Sequence, residues 1–405
     1  MDSAEREGLR PKGNVPNLRF PEFQGEWEES TIGEEFGLYS GNTPSRLNKE
    51  HFNGAINWIS SGELKEHYIA DTKEKISDEA AKTLKMLPIG TFVIAIYGLE
   101  ADGVRGTGSI TKTEATISQA CMAFTSKGKV QNEFLYSWYK KHGNVIGIRY
   151  AQGTKQQNLS YDIIEKFKIA YPTFQEQEKL NKFIALLDER IATQNKIIDK
   201  LQSLIKGINQ RVFMNNGINY KLGEVCEIRS GYSGNQLLSK KGLKVSRIET
   251  ISGHKVNLER VGYVAPFESS ENYKLQVGDI LFSNINSVEY IGNTAFIDKD
   301  YDLYHGMNLL RLTPNNMVVI PFYLYLLLNT NRMLNRFKTV CNKAVSQASI
   351  NQTELGKTVV QIPDINAQKQ ICELYQALYD KLESEKYANS LFQKQKQYLL
   401  RQMFI

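Results

Sequence analysis

The 405-residue chain has only four cysteines, Cys121, Cys226, Cys341 and Cys372, and no two of them share a C-x-x-C spacing or stand beside a histidine cluster. Such isolation argues against a zinc site and a disulfide framework, and leaves reduced, unpaired thiols, the ordinary state in a cytoplasm. Long apolar runs are equally scarce. The longest, Val318 to Leu328, is well short of the ~20 residues a membrane span requires. The N-terminal stretch MDSAEREGLRPKG is charged where a secretory leader would be apolar, so a soluble, cytoplasmic protein is expected. Charge of one sign is hardly in excess either. Lys and Arg number 50 against 44 Asp and Glu, a net +6, which permits a nucleic-acid partner without demanding one.

The usual signatures of chemistry are missing as well. No G-x-x-x-x-G-K-[ST] phosphate loop occurs, and Gly103 to Gly108 (GVRGTG) lacks the lysine, so it reads as a turn between strands. There is no N-P-P-Y or D-P-P-Y turn of the kind that amino-methyltransferases place beside the target amine. Pro363-Asp364 is followed by no Glu-x-Lys or Asp-x-Lys, which removes the common carboxylate–lysine nuclease site. The five histidines, His51, His67, His142, His254 and His305, are scattered, and none is given a role. No catalytic residue and no metal site is expected.

What the sequence does have is a repeat with a period near 190 residues. Ile32-Gly33-Glu34 leading to Ser40-Gly41 returns as Leu222-Gly223-Glu224 leading to Ser230-Gly231. Ile89-Gly90-Thr91-Phe92-Val93-Ile94 returns as Val277-Gly278-Asp279-Ile280-Leu281-Phe282, in each case a Gly turn feeding a strand. Pro172, Gln177 and Leu180 are echoed by Pro363, Gln368 and Ile371. Behind each proline the pattern changes from short strands to one long helix, about 175–213 and about 366–404.

Steps of four and three along the first helix give Leu180, Ile184, Leu187, Ile191, Gln194, Ile198, Leu201, Ile205, Ile208 and Val212, an apolar seam broken only by Gln194. Sustained over more than four heptads, it indicates a coiled-coil helix roughly 58 Å long at 1.5 Å per residue. The same register in the second helix gives Leu378, Leu382, Glu385, Phe392 and Leu399 among less regular neighbours. Glu385 falls where Gln194 stands in the first copy, and polar seam residues of this kind fix register and partner choice. Phe183, Leu204, Leu374, Leu391 and Tyr398 widen the apolar faces beyond a two-helix contact, toward another partner or the chain's own globular parts.

The fold expected is therefore α+β. It has an N-terminal extension over 1–14, a globular region over 15–171, a long helix over 172–216, a second globular region over 217–362 and a second long helix over 363–405. If a pseudo-two-fold axis relates the copies, the helices pair antiparallel as a coiled coil and separate two similar heads.

Recognition chemistry then lies in the polar loops, because Asn, Gln and Arg can bond two edge atoms of one base while Lys, Ser and backbone N–H groups hold phosphates. The candidates in the first region are Asn42, Thr43, Arg46, Ser60, Ser61, Tyr97, Arg105, Lys155 and Gln156. Those in the second are Tyr232, Ser246, Arg247, Asn284, Asn286, Lys343 and Gln347. Any one such loop is also what an α+β surface ordinarily shows.

Three stretches resemble the specificity subunit of type I restriction–modification enzymes. Val15-Pro16-Asn17-Leu18-Arg19-Phe20-Pro21-Glu22-Phe23 with Trp27 is similar to that family's opening. Gly153 to Ser160, Ile169 to Pro172 and Gln175-Glu176-Gln177 are similar to its junction between a target recognition domain and a conserved helix. The second copy keeps the frame but has Asn366-Ala367-Gln368 where a Glu-Gln pair is usual. The resemblance implies that each globular region is a target recognition domain for one half of a split double-stranded DNA site. The helix pair would set the spacer and dock two modification subunits. No cofactor would bind this chain; S-adenosylmethionine, ATP and Mg²⁺ would serve the modification and restriction subunits. A protein-binding scaffold and a stand-alone DNA-modifying enzyme remain the alternatives.

Overall fold

The structure, a computed structural model, describes residues 13–101, 103–153, 157–213, 217–343 and 347–405. It forms two compact units. The first takes the chain up to Lys196 together with Lys386–Ile405, and the second takes Ile197–Glu385. The units thus cut across both long helices.

In the first unit, a ribbon of Glu28–Thr31 against Lys168–Tyr171 leads into a five-stranded sheet. The order is Phe36–Ser40, Cys121–Ser126, Phe92–Ala95, Gly108–Thr111 and Tyr68–Ile69. Between ribbon and sheet lies a single helical turn, Ile32–Glu35, made by a capping box. Glu34 N donates to Thr31 Oγ1 at 3.3 Å and Thr31 N donates to Glu34 Oε2 at 3.0 Å. Phe92–Ala95 is buried throughout, as its continuous β-branched and aromatic run requires of a central strand. Helix Asn132–Tyr150 covers the sheet with Phe134, Leu135, Trp138 and Tyr139.

The second unit repeats this plan. Ile218–Lys221 pairs with Val359–Ile362, and the sheet runs Cys226–Ser230, Leu309–Pro314, Ile280–Ser283, Thr294–Phe296. Its covering helix is broken into Pro321–Leu328 and Asn331–Val340. Pro321 starts the first piece where its missing N–H costs nothing, and Thr330 caps the second by accepting from Met333 N at 3.3 Å.

The long helices span Phe174–Val212 and Ile365–Met403, 39 residues each and one position earlier at both ends than their sequence pattern suggests. Asp364 Oδ1 accepts the amides of Asn366 and Ala367 at 2.9 and 3.0 Å and so begins the second. Within the first unit their contacts run antiparallel. Asp188 meets Lys396, Arg190 lies over the Phe392 ring at 4.1 Å, and Asn389 Nδ2 donates to Asn195 Oδ1 at 3.0 Å. Within the second unit, Tyr375 donates to Asn209 Oδ1 at 3.0 Å.

Seam positions are withdrawn from water along both helices. Leu180, Ile184, Gln194 and Leu382 are buried, while Leu187, Ile191, Ile198, Leu201, Ile205, Leu378, Glu385, Phe392 and Leu399 are half-buried. Leu180 and Ile184 join Leu400, Met403 and Phe404 in the core of the first unit. Phe213, Ile371 and Cys372 pack on that of the second. The wider apolar face divides. Phe183 packs edge-on against Phe20 at 6.0 Å, a contact with the chain's own globular part, whereas Leu204, Leu374, Leu391 and Tyr398 are exposed.

Candidate nucleic-acid interface

Antiparallel pairing decides where the polar loops emerge. In the first sheet Ser40 pairs with Met122 and Ala95 with Cys121, so the chain leaves Phe36–Ser40 and Phe92–Ala95 at the same edge. One exit carries Asn42, Thr43 and Arg46, and the other carries Tyr97 and Arg105. Gly41 is required at the first exit, because a Cβ there would meet Ile117 O at 2.2 Å. In the second sheet Ser230 pairs with Leu310 and Ser283 with Leu309, so Tyr232, Asn284 and Asn286 likewise emerge at one edge.

Two clusters form in the first unit. Arg46 donates from both terminal nitrogens to Glu74 at 2.9 Å and lies over the rings of Phe52 and Trp58 at 4.5 and 5.5 Å. Hydrogen bonding to this guanidinium holds the Glu74 carboxyl below its usual range. Asn42 is exposed beside it, with Oδ1 turned to the Thr43 amide at 2.8 Å. Ser60 donates to Glu63 Oε2 at 2.7 Å and Ser61 follows, half-buried. The second cluster joins two loops. Tyr97 bridges to Asn158, Arg105 Nη2 donates to Gln157 Oε1 at 2.9 Å, and Gln157 N donates to Glu100 Oε2 at 2.7 Å. Lys155 and Gln156 lie outside the described residues.

In the second unit, Tyr232 stacks on Phe267 at 3.8 Å with Tyr273 edge-on to both. A small sheet has Ala348–Ser349 as its middle strand, with Asn286 and Lys343 paired to Ala348 from opposite sides and exposed Gln347 just before it. Asn286 spends its amide locally, donating to Ser283 Oγ at 3.1 Å and accepting from Ser287 N at 2.8 Å. Asn284 is half-buried, its carbonyl accepting from Ile350 N at 2.9 Å. Arg247 is exposed, with Glu249 at 3.5 Å.

Ser246 is a correction. It is buried, and its Oγ accepts the Gly306 amide at 3.0 Å, so it holds the loop together and offers nothing to a ligand. The sequence reasoning passed over Gln157 and Asn158, which the structure puts in contact with Arg105 and Tyr97. Their signal was present in the polar stretch following Gly153.

Residues 24–203 and 217–390 each match the family described as Type I restriction modification DNA specificity domain. The chain belongs to this family. It is 42 % identical over 158 residues to a putative type I restriction enzyme MjaX specificity subunit of Methanocaldococcus jannaschii, covering 38 % of this chain and 37 % of the relative. It is 29 % identical over 190 residues to the EcoR124I/EcoR124II specificity subunit of Escherichia coli, covering 45 % of each. The chain thus spans less than half the length of these curated relatives in the matched regions. The crystal structure of a type I restriction-modification S subunit from M. genitalium shares the fold, with a TM-score of 0.60 at 16 % identity over 96 % of this chain and 99 % of that one.

Proposed function

We propose that this chain is the non-catalytic DNA sequence-specificity subunit of a type I restriction–modification complex, acting in the cytoplasm. The observation that carries the reading is the duplicated placement of polar loops at one edge of the central sheet in each unit, in a chain whose two halves both match the specificity domain. Regions 15–171 and 217–362 each read one half of a split double-stranded site, and the helices over 172–216 and 363–405 form an antiparallel coiled coil that sets the spacer. The loop clusters suit the task, since Arg46, Arg105 and Lys343 can hold phosphates or guanine edges and exposed Asn42 and Gln347 can address adenine. Two modification subunits dock on the helix pair, where exposed Leu204, Leu374, Leu391 and Tyr398 await a partner. S-adenosylmethionine serves those subunits, and ATP and Mg²⁺ serve the restriction subunits. A net charge of +6 is small for this work, so the isolated chain binds DNA weakly and the partners supply much of the phosphate attraction.

The test is co-expression with a cognate modification subunit, followed by genome-wide mapping of methylated adenines. One split motif with a fixed gap is expected. An assembled complex that methylates nothing would point to a scaffold, and methylation or cleavage by the chain alone would make it an enzyme.

A further inference from the structure

The junction between sheet and long helices is built differently in the two units. In the first, His67 is buried, its ring stacked between Tyr68 at 4.1 Å and Tyr136 at 4.0 Å. Its Nε2 lies 2.8 Å from Glu133 Oε2 and its Nδ1 lies 3.0 Å from Asp188 Oδ2. Glu133 belongs to helix Asn132–Tyr150 and Asp188 to the first long helix, and Asp188 is also paired with Lys396 of the second. One imidazole therefore ties a loop of the globular part to two helices and, through Asp188, to a third.

The second unit has the corresponding positions, and shared hydrogen bonds fix the correspondence. Gln131 N and Ile320 N donate to the side chains of Gln177 and Gln368 at 2.9 and 2.8 Å, which aligns the covering helices with the long ones. On that alignment Phe322 stands for Glu133, Tyr325 for Tyr136 and Tyr379 for Asp188. Phe322 and Tyr325 pack with each other and with Phe296 at centroid distances of 5.5 to 6.0 Å, and Tyr379 packs on Phe322 at 6.4 Å. An aromatic cluster replaces the charges.

We propose that His67 is the positioning residue of the first unit: as an imidazolium facing two carboxylates it fixes the globular part on its helices, so that this junction, unlike the aromatic one, loosens as the proton leaves. A cation can satisfy both carboxylates, whereas a neutral ring has a single N–H and turns a lone pair toward the other.

The surroundings favour the protonated ring. Burial pushes the imidazole down from 6.5, but Asp188 and Glu133 together outweigh it and raise the value. Burial likewise opposes ionisation of Asp188, and His67 with Lys396 overcomes it and holds the carboxyl below 3.8. Stabilisation by a raised histidine is complete below its unfolded value and is lost as pH climbs through the folded one. Stabilisation by a lowered aspartate is lost only in acid, so the junction fails on the alkaline side first. The other titratable groups facing the ring are Glu66 and Tyr68 on its own segment, Lys112 with Nζ 3.8 Å from the Tyr68 ring, and Tyr136 and Lys140 on the covering helix. Lys140, which burial first and Lys396 second bring down to about 8, titrates within the pH span of the test below and has to be separated from His67.

The experiment is hydrogen exchange on the full-length chain from about pH 6 to about pH 9, normalised for intrinsic amide rates, with the histidine titration read by NMR. Protection of Asn132–Tyr150 should fall by about tenfold for each unit by which the partners raise the ring, while Pro321–Leu328 keeps its protection. The decline should disappear in His67→Gln and in Asp188→Asn, and persist in Lys140→Met. Equal declines in both helices, an unshifted His67, or a decline retained in His67→Gln would overturn the proposal. So would a profile flattened by Lys140→Met, which would give the role to the lysine. The wild-type titration decides even where a variant fails to fold.

Discussion

Gln177 and Gln368 make the same three hydrogen bonds. Nε2 of Gln177 donates to Lys129 O at 2.9 Å and Pro172 O at 3.0 Å, and its Oε1 accepts from Gln131 N at 2.9 Å. Nε2 of Gln368 donates to Val318 O at 3.1 Å and Pro363 O at 2.9 Å, and its Oε1 accepts from Ile320 N at 2.8 Å. Both side chains are fully buried. Each one fastens the first turn of a long helix to the start of the covering helix, through a carboxamide that offers two donors and an acceptor in one plane.

Alanine at either position should therefore cost the same. Each substitution leaves one amide and two carbonyls without their partner, worth about 3–9 kcal/mol in all at 1–3 kcal/mol for each buried group left unpaired. Urea unfolding of Gln177→Ala and Gln368→Ala measures it. A cost below ~1 kcal/mol in one and not the other would mean that the two junctions are not energetic equivalents.

The repeat made these glutamines visible in the sequence, because matched Pro and Gln positions ahead of a heptad pattern survive without any knowledge of packing. The seam was legible for the same reason, since Leu180 and Ile184 follow from periodicity alone. Burial of a loop side chain was not. Ser246 sits between valine and arginine in a polar loop, and only the distant Gly306 amide explains why it points inward. His67 was illegible on the same grounds, with Glu133, Asp188 and Lys396 spread over the whole chain. Phe183 and Leu204 occupy similar places on one helix, yet Phe20 covers the first and none of the described residues buries the second.

Arg19 explains where the copies diverge. Its Nε and Nη2 donate to Glu176 Oε1 and Oε2 at 2.8 and 2.7 Å, and the Glu176 side chain is 1 % exposed. The second copy has no counterpart of the stretch from Val15 to Phe23, and it has Ala367 beside Gln368 where a glutamate would be a buried charge without a partner. Arg19→Met should destabilise by about 3–5 kcal/mol, the cost of breaking a buried pair from one side, and Arg19→Met with Glu176→Ala should recover much of it. Thermal unfolding of the single and double variants decides; a double variant as weak as the single would mean that Arg19 matters through packing alone.

Arg46 is held by Glu74 through two exposed hydrogen bonds, so DNA phosphates must compete with a carboxylate for the same fork. Glu74→Gln should tighten DNA binding by the assembled complex, by up to about fivefold, with little change in stability, because an exposed pair contributes little. Arg46→Ala should weaken binding and reduce the slope of log affinity against log salt by about 1. Fluorescence anisotropy across a salt series reads both. An unchanged slope in Arg46→Ala would remove this residue from the interface.

The proposed ruler makes the most demanding prediction. Four residues are close to one helical turn, so inserting four into the middle of each long helix keeps the apolar seam on its face while adding ~6 Å of length. At 3.4 Å per base pair that is ~2 base pairs of DNA. In the proposed reading the bases are contacted by loops at the sheet edge, which the insertion does not touch. The recognised site should therefore keep both half-sequences and gain one or two base pairs of spacer, as read from methylated adenines in cells carrying the variant complex. An insertion of two residues rotates the following seam by about 200° at 3.6 residues per turn, and should abolish methylation without changing either half-site. If the four-residue variant methylated with the original gap, the helices would not set the spacing, and the loops alone would have to reach the second half-site.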